Sequence, residues 1–361
     1  MTNGIVKSQP NNCTLYEAEG MLAAFVDAVD LTPDEPNRQL VLDEIGQALR
    51  KAKDKRDAVV AFLRQCQQQQ EFADAEIERI ERLMTDWERP AWTPSDVVRI
   101  NKAAGKEAVK VSDETLAVIE TSLEMSRRSE GAFDITFAAM HGLWKFDEDL
   151  EPKVPAPADV ARRRKLINWR DVIVDRAART VKLRRAEMRM GLGGIAKGYA
   201  VDKCAAVLRA AGFADFMVQA GGDLFVAGSK GPASWMVGVR DPRGGPKDII
   251  ARMPIRDHAF STAGDYERSF VLAGRRYHHF IDPKTGYPAT ASREVTIFAP
   301  TAFLADALDD AVFILGPKKG LALVAAYPDC AALIVDAHNQ VWTSKSLEGK
   351  LQRTAAPTDG I

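Results

Sequence analysis

Residues 191–223 read GLGGIAKGYAVDKCAAVLRAAGFADFMVQAGGD, and the rest of the chain is read outward from them. The glycine-rich turn Gly191-Leu192-Gly193-Gly194 opens a helix over 196–211, with Ala200, Cys204, Val207, Leu208 and Ala211 on one face. Gly212 ends that helix. A short strand over 216–219 then runs into Gly221-Gly222. Downstream, strands are expected over 235–239, 270–272 and 295–299. A helix over 301–315 follows, stopped by Gly316-Pro317, then a helical stretch over 321–326 and a strand over 331–335. Helices and strands mix without the regular alternation of a doubly wound sheet, which predicts an α+β fold. No internal repeat is present.

Upstream, 21–84 reads as helices. Val41, Ile45, Ala48 and Leu49 recur at i, i+4, i+7 and i+8, Val59, Val60 and Leu63 continue the pattern, and Ile77, Ile80, Leu83 and Met84 form a compact stripe. Pro90 and Pro94 break the chain. A helix is expected over 112–130, with Ser112 as cap, Asp113 and Glu114 in its first turn, and Thr115 where a capping box would carry Glu. Pro152, Pro155 and Pro157 mark a linker or extended loop, and 172–183 alternates like a hairpin. This divides the chain into a partly disordered helical extension over 1–70, a main domain over 71–350 and a flexible tail over 351–361.

The 361 residues carry 49 Lys plus Arg against 50 Asp plus Glu, a net charge of -1. That balance argues against non-specific binding to nucleic acid or an anionic membrane surface. No transmembrane segment is expected, because the apolar stretch 320–335 is interrupted by Pro328 and Asp329. The run 21–29 lacks the basic flank of an export signal, so the chain as given reads as cytoplasmic or as starting after such a signal. Cys13, Cys66, Cys204 and Cys330 are too scattered for a zinc site or a disulfide framework.

Five segments carry possible chemistry, each with a plainer alternative. Gly191 to Tyr199 puts flexible backbone and a helix N-terminus beside Lys197, which suits a phosphate or is simply a tight turn with an exposed lysine. Ala220-Gly221-Gly222-Asp223 either brings backbone close to a ligand or is a simple turn. Near Asp282-Pro283-Lys284-Thr285-Gly286, His278 and His279 offer a general base or are structural histidines. Asp306, Asp309 and Asp310 share one helical stripe, either to hold a hard cation such as Mg²⁺ or as a solvated acidic face. Phe133 and Asp134 could meet a flat ring, or Phe133 is a core residue in a turn.

In their order and content these segments resemble the ApbE family, flavin transferases that move FMN from FAD onto a protein. The resemblance runs from about Glu76 to about Ser344. It rests on Leu83-Met84-Thr85-Asp86-Trp87, Gly131-Ala132-Phe133-Asp134, Leu192 to Asp202, Ala220-Gly221-Gly222-Asp223, Ser261 to Tyr266, His279 to Gly286 and Ala305-Asp306-Ala307-Leu308. It implies a T-fold-like α+β core with FAD in a cleft, plus the additional helical N-terminal segment. By motif, Trp87 would stack on the flavin, Ala132, Phe133 and Asp134 would contact it, Lys197 would approach the FAD and Ile281 would line its pocket. Gly191 and Asp309 belong to the same cofactor-binding set. The Gly194 carbonyl, Asp306 and Asp310 would hold Mg²⁺, with His279 as the base on the acceptor hydroxyl and Asp282 as its alternative.

Four departures stand out. Gly191 replaces an Asp, Asp310 replaces Thr or Ser, Gln219 replaces Asn, and the usual first strand ending in Met-Gly-Thr is not found. The implied reaction is Mg²⁺-dependent FMN transfer from FAD to a Thr or Ser hydroxyl in a Ser/Thr-x-x-Thr-type site of an acceptor flavoprotein, releasing AMP. FAD hydrolysis to FMN and AMP, or non-catalytic FAD binding and delivery, are the alternatives. The resemblance also implies a periplasmic or membrane-associated setting.

Overall fold

The computed structural model describes residues 35–86, 88, 91–146 and 151–360. The chain divides into two compact units, Met1–Glu71 and Phe72–Ile361. The described part of the first is helical and belongs to α1 (Glu35–Met84), whose final turns lie in the second unit. Where the sequence suggests several helices, a single one runs from Glu35, and no proline interrupts it after Pro36. The expected start of the helical region, 21–34, lies outside the described residues. In the second unit the predicted stripe packs inward, with Ile80 and Met84 buried in the main core and Ile77 and Leu83 against it.

Next come α2 (Asp96–Lys102), β1 (Val109–Lys110), α3 (Asp113–Arg128), a 3₁₀ turn (Ile135–Met140), α4 (Pro157–Arg164), β2 (Val172–Asp175) and β3 (Thr180–Leu183). Among the described residues no strand precedes Val109. Ser112 caps α3, its Oγ accepting the Thr115 N–H at 3.1 Å and donating to the Thr115 hydroxyl at 2.9 Å. The predicted hairpin is β2–β3, and β1 extends it.

The remaining elements are α5 (Ala196–Ala210), β4 (Phe216–Ala220), β5 (Asp223–Ala227), β6 (Trp235–Arg240), β7 (Ile249–Ile255), β8 (His258–Gly264), β9 (Ser269–Leu272), β10 (Arg275–His278), β11 (Ser292–Ala299), α6 (Ala302–Val324), β12 (Ala331–Asp336), β13 (Val341–Thr343) and β14 (Gln352–Arg353). Six of the strands form an antiparallel sheet in the order β13-β12-β11-β8-β5-β4. One face carries Phe225, Ala259, Ile297 and Ile334 into the main core under α5 and α6. The other carries Val226, Phe260, Phe298 and Leu333 into a second core against the sheet β14-β7-β6. Covering on both faces explains why the central strands read as nearly continuous apolar runs. The fold is α+β, as the sequence predicts.

Two expectations change. Gly316 does break the helix, with φ of 72°, but the chain resumes helical geometry at once through Pro317, so α6 is kinked rather than ended. The described residues of the tail, 351–360, are hydrogen-bonded to the rest of the chain. β14 pairs with β7, and Thr358 donates its N–H and hydroxyl to the Asp241 carboxylate, the hydroxyl at 2.6 Å. Asn339 Nδ2 donates to the Pro357 carbonyl at 2.8 Å. These hydrogen bonds fix a segment whose composition alone gives no anchoring signal.

Candidate active site

The site grows from the meeting of α5 and α6. Ile195 precedes α5 and supplies no capping oxygen, so the first amides of that helix need outside acceptors. Asp306 of α6 provides one, its Oδ2 accepting the Gly198 N–H at 2.8 Å. Asp202 of α5 returns the favour, accepting the Ala302 and Phe303 N–H groups of α6 at 2.8 and 2.9 Å. Each helix thus places a carboxylate at the positive end of the other. Gly198 permits the approach, since a Cβ there would overlap the Ala302 carbonyl and come within 2.7 Å of the Asp306 Cβ.

This capping corrects one expectation. The helix amides behind Gly194 are largely engaged within the protein. Ala196 N–H bonds the Leu192 carbonyl at 2.8 Å, Gly198 bonds Asp306, and Tyr199 N–H bonds the Ile195 carbonyl at 3.2 Å.

Register builds the other side. Asp223 opens β5 and pairs directly with Ser261 of β8. Strand alternation puts both on the face of Phe225 and Ala259, toward α6. There Asp223, Asp306 and Asp309 bring carboxylate oxygens within 4.8 Å of one another. All three are buried, at 0%, 2% and 3% exposure, so the stripe is not a solvated acidic face. Lys197 Nζ lies 2.5 Å from Asp223 Oδ2 and 3.7 Å from Asp306 Oδ1, while half of its side chain remains exposed. Burial opposes the charge on Lys197, but Asp306, Asp223 and Asp309 outweigh it and hold the ammonium above its ordinary value.

Ser261 Oγ lies 2.5 Å from both Asp223 Oδ1 and Asp309 Oδ2. Burial and the Asp310, Asp306 and Asp223 charges raise Asp309 well above the usual carboxylate range. Burial and Asp223 raise Asp306 to about 7, and burial and Asp306 raise Asp310 to about 8.

Asp310 meets the glycine-rich turn. A Cβ on Gly194 would overlap the Asp310 carboxylate and touch the Phe133 ring at 3.6 Å. The structure therefore brings Phe133, Gly194 and Asp310 together, next to Lys197 and Asp306. The donor set fits a hard cation: it is oxygen-rich and carries more carboxylates than one ammonium neutralises, and Asp309 Oδ1 is buried without a partner. Lys197 already supplies a cation between Asp223 and Asp306.

Other predicted residues take structural positions. Ala132 is buried. Asp134 caps the 3₁₀ turn, its two oxygens accepting the Thr136 N–H at 2.8 Å and the Trp169 N–H at 2.9 Å, so the expected hydrogen bond to a flavin ring has competitors within the protein. Burial raises its pKa against those bonds. Gly191 is itself buried, donating to the Ile135 carbonyl at 2.9 Å, and a Cβ there would sit 3.1 Å from the Asp86 carboxylate. Ile281 joins a satellite core with Met140, Trp144, Phe146 and Val160. Asp282 holds its own turn, its Oδ1 accepting the Lys284 N–H at 2.8 Å. His279 lies tilted against Phe280 with ring centroids 4.0 Å apart, and its buried Nδ1 has no hydrogen-bond partner. Burial, with the charges of His278 and Arg268, pushes it down to about 3. Trp87 lies outside the described residues.

Asp223 and Ser261 were not among the site residues expected from sequence. The available signal was a carboxylate heading the apolar strand Asp223–Ala227, in which every residue is buried.

Four similarities bear on this geometry. A profile of the ApbE family matches residues 54–334. A FAD:protein FMN transferase of Treponema pallidum is 34% identical over 273 residues, covering 72% of this chain and 75% of that protein. Among solved structures, the ApbE protein of Thermotoga maritima aligns with a TM-score of 0.69 at 34% identity, over 77% of this chain and 90% of that one. The flavin transferase ApbE of Vibrio cholerae gives a TM-score of 0.69 at 25% identity, over 79% and 90% of the two chains.

Proposed function

This chain belongs to the ApbE family, and from that premise we propose that it transfers FMN from FAD to a Thr or Ser hydroxyl of an acceptor flavoprotein, releasing AMP. The observation that carries the reading is the convergence of Lys197 with Asp306 and Asp310 where α5 meets α6. Phosphoryl transfer needs positioning and charge neutralisation more than a covalent enzyme group, and this arrangement suits that need.

In the reaction, the acceptor oxygen bonds the FMN phosphorus, the bond from that phosphorus to the AMP oxygen breaks, and AMP leaves with the electron pair. Asp306, Asp310 and the Gly194 carbonyl would hold Mg²⁺, which supplies neutralisation of the pyrophosphate charge. Lys197 reaches from its buried anchor into the open part of the site and holds a phosphate oxygen. Phe133, against Gly194, borders the flavin. His279 takes the hydroxyl proton at Nδ1, which has no hydrogen-bond partner within the protein.

The acceptor is a flavoprotein segment with a Ser/Thr-x-x-Thr-type site, in the periplasm or at a membrane. No described helix is long and apolar enough to cross a membrane. Mass spectrometry of such a peptide, incubated with the protein, FAD and Mg²⁺, tests the reading. An FMN-sized gain that disappears with EDTA is expected. FMN and AMP in solution with an unmodified peptide would establish hydrolysis instead, and bound FAD without turnover would establish a binding protein.

A further inference from the structure

We propose that Asp223 and Ser261 form a buried anchor that aims Lys197 at the phosphates of the bound flavin nucleotide, so that Asp223 acts through Lys197 as a positioning residue. The inference rests on the FAD reading above and deepens it. A lysine side chain is a flexible stem carrying a strongly hydrated point charge, and left to itself it samples many rotamers. Lys197 begins in the first turn of α5, where the helix dipole disfavours a cation, and half of its side chain is exposed. Something must hold its ammonium in one place.

Asp223 does so from full burial, with Oδ2 at 2.5 Å from Lys197 Nζ. Its other oxygen is fixed by Ser261 Oγ at 2.5 Å. Ser261 is also fully buried, and it lies opposite Asp223 in the β5–β8 ladder, so the pair is set by sheet register rather than by a mobile loop. Ser261 in turn touches Asp309 of α6 at 2.5 Å, which ties the anchor to the helix bearing Asp306 and Asp310. Sheet, α5 and α6 thus fix one ammonium through two buried side chains. A carboxylate whose two oxygens are both engaged, one by the ammonium and one by the hydroxyl, determines the direction of the ammonium as well as its charge.

The test is a double-mutant cycle on binding, read without turnover. Dissociation constants of FAD and riboflavin are measured by flavin fluorescence for the wild type, Asp223→Asn, Lys197→Ala and the double variant, with thermal unfolding followed in parallel. Asp223→Asn is expected to weaken FAD binding about tenfold, the scale of one charge-assisted contact, and to leave riboflavin, which has no phosphate, unchanged. In the Lys197→Ala background the same change is expected to do nothing further to FAD. Equal losses with and without Lys197, or an equal loss for riboflavin, would overturn the anchor and make Asp223 a general structural residue.

The transferase reading is tested separately by the peptide assay on the wild type, so it can stand if the cycle fails. A wild type that binds no FAD would overturn both. If Asp223→Asn does not fold, Ser261→Ala, which keeps the carboxylate but removes its tether, enters the same cycle with the same expected pattern.

Discussion

His278 and His279 are adjacent, yet their surroundings give them different work. His278 ends β10, and its Nε2–H donates to the Ala289 carbonyl at 2.9 Å, while Nδ1 is buried without a partner. Burial, partly offset by Asp265, pushes it down to about 4, so the folded protein keeps it neutral well below the pH at which an unfolded chain would protonate it. Between those two values the unfolded state binds more protons, and stability therefore falls as pH falls. The expected loss from this residue is about 2 kcal/mol between pH 7 and pH 5. Urea unfolding at the two pH values should show a gentler slope for His278→Gln than for the wild type, and identical slopes would mean that His278 does not contribute. For His279, burial is the largest cause of the lowered pKa, and the charge of Lys197 contributes. If it is the base, as proposed, His279→Ala should reduce transfer on the order of 10²-fold with FAD affinity kept. Full transfer by His279→Ala would remove it from the mechanism.

At the scale of elements, the α5–α6 contact carries both packing and chemistry. Gly198 meets backbone rather than a flexible side-chain tip, so Gly198→Ala cannot be absorbed by a rotamer change. Separating the helices would also stretch the Asp306 bond to the Gly198 amide. The expected cost is about 1–3 kcal/mol of stability, with a larger proportional loss of FAD binding than of fold. Denaturant unfolding with flavin fluorescence on the same variant checks this, and unchanged binding would separate the packing from the site. Sequence periodicity located both helices, and the hairpin β2–β3 with its turn. It did not single out β7, because Pro254 lies within it. The structure accommodates Pro254 where β14 no longer pairs, so the missing donor costs no ladder bond on that side. The carboxylate stripe on α6 was legible at its spacing. Its burial was not, because burial depends on which strands lie beneath it. For the same reason Asp223 and Ser261, far apart in sequence and joined only by register, carried no local signal as a pair.

For the whole molecule, the core residues mark what the site requires. Every buried hydrophobic residue among the described ones lies at Ile80 or beyond, most of them in the main core, the second core across the sheet or the satellite cluster around Trp144. The residues of the candidate site from Phe133 to Asp310 are in the same unit, Phe72–Ile361. Helical periodicity and the absence of the usual first strand predict a helical extension over 1–70, and the compact units are Met1–Glu71 and Phe72–Ile361. A unit that holds its own apolar core and its own carboxylate network contains what hydrophobic burial needs to fold. A fragment over 72–361 is therefore expected to unfold in one cooperative transition and to bind FAD within about twofold of the full chain, far less than the tenfold that 1.4 kcal/mol represents. Circular dichroism through thermal unfolding and flavin fluorescence on the fragment measure the two properties independently. A cooperative fragment with tenfold weaker FAD binding would assign residues 1–71 a part in the site, and a fragment that fails to fold would make that segment a requirement of the core itself.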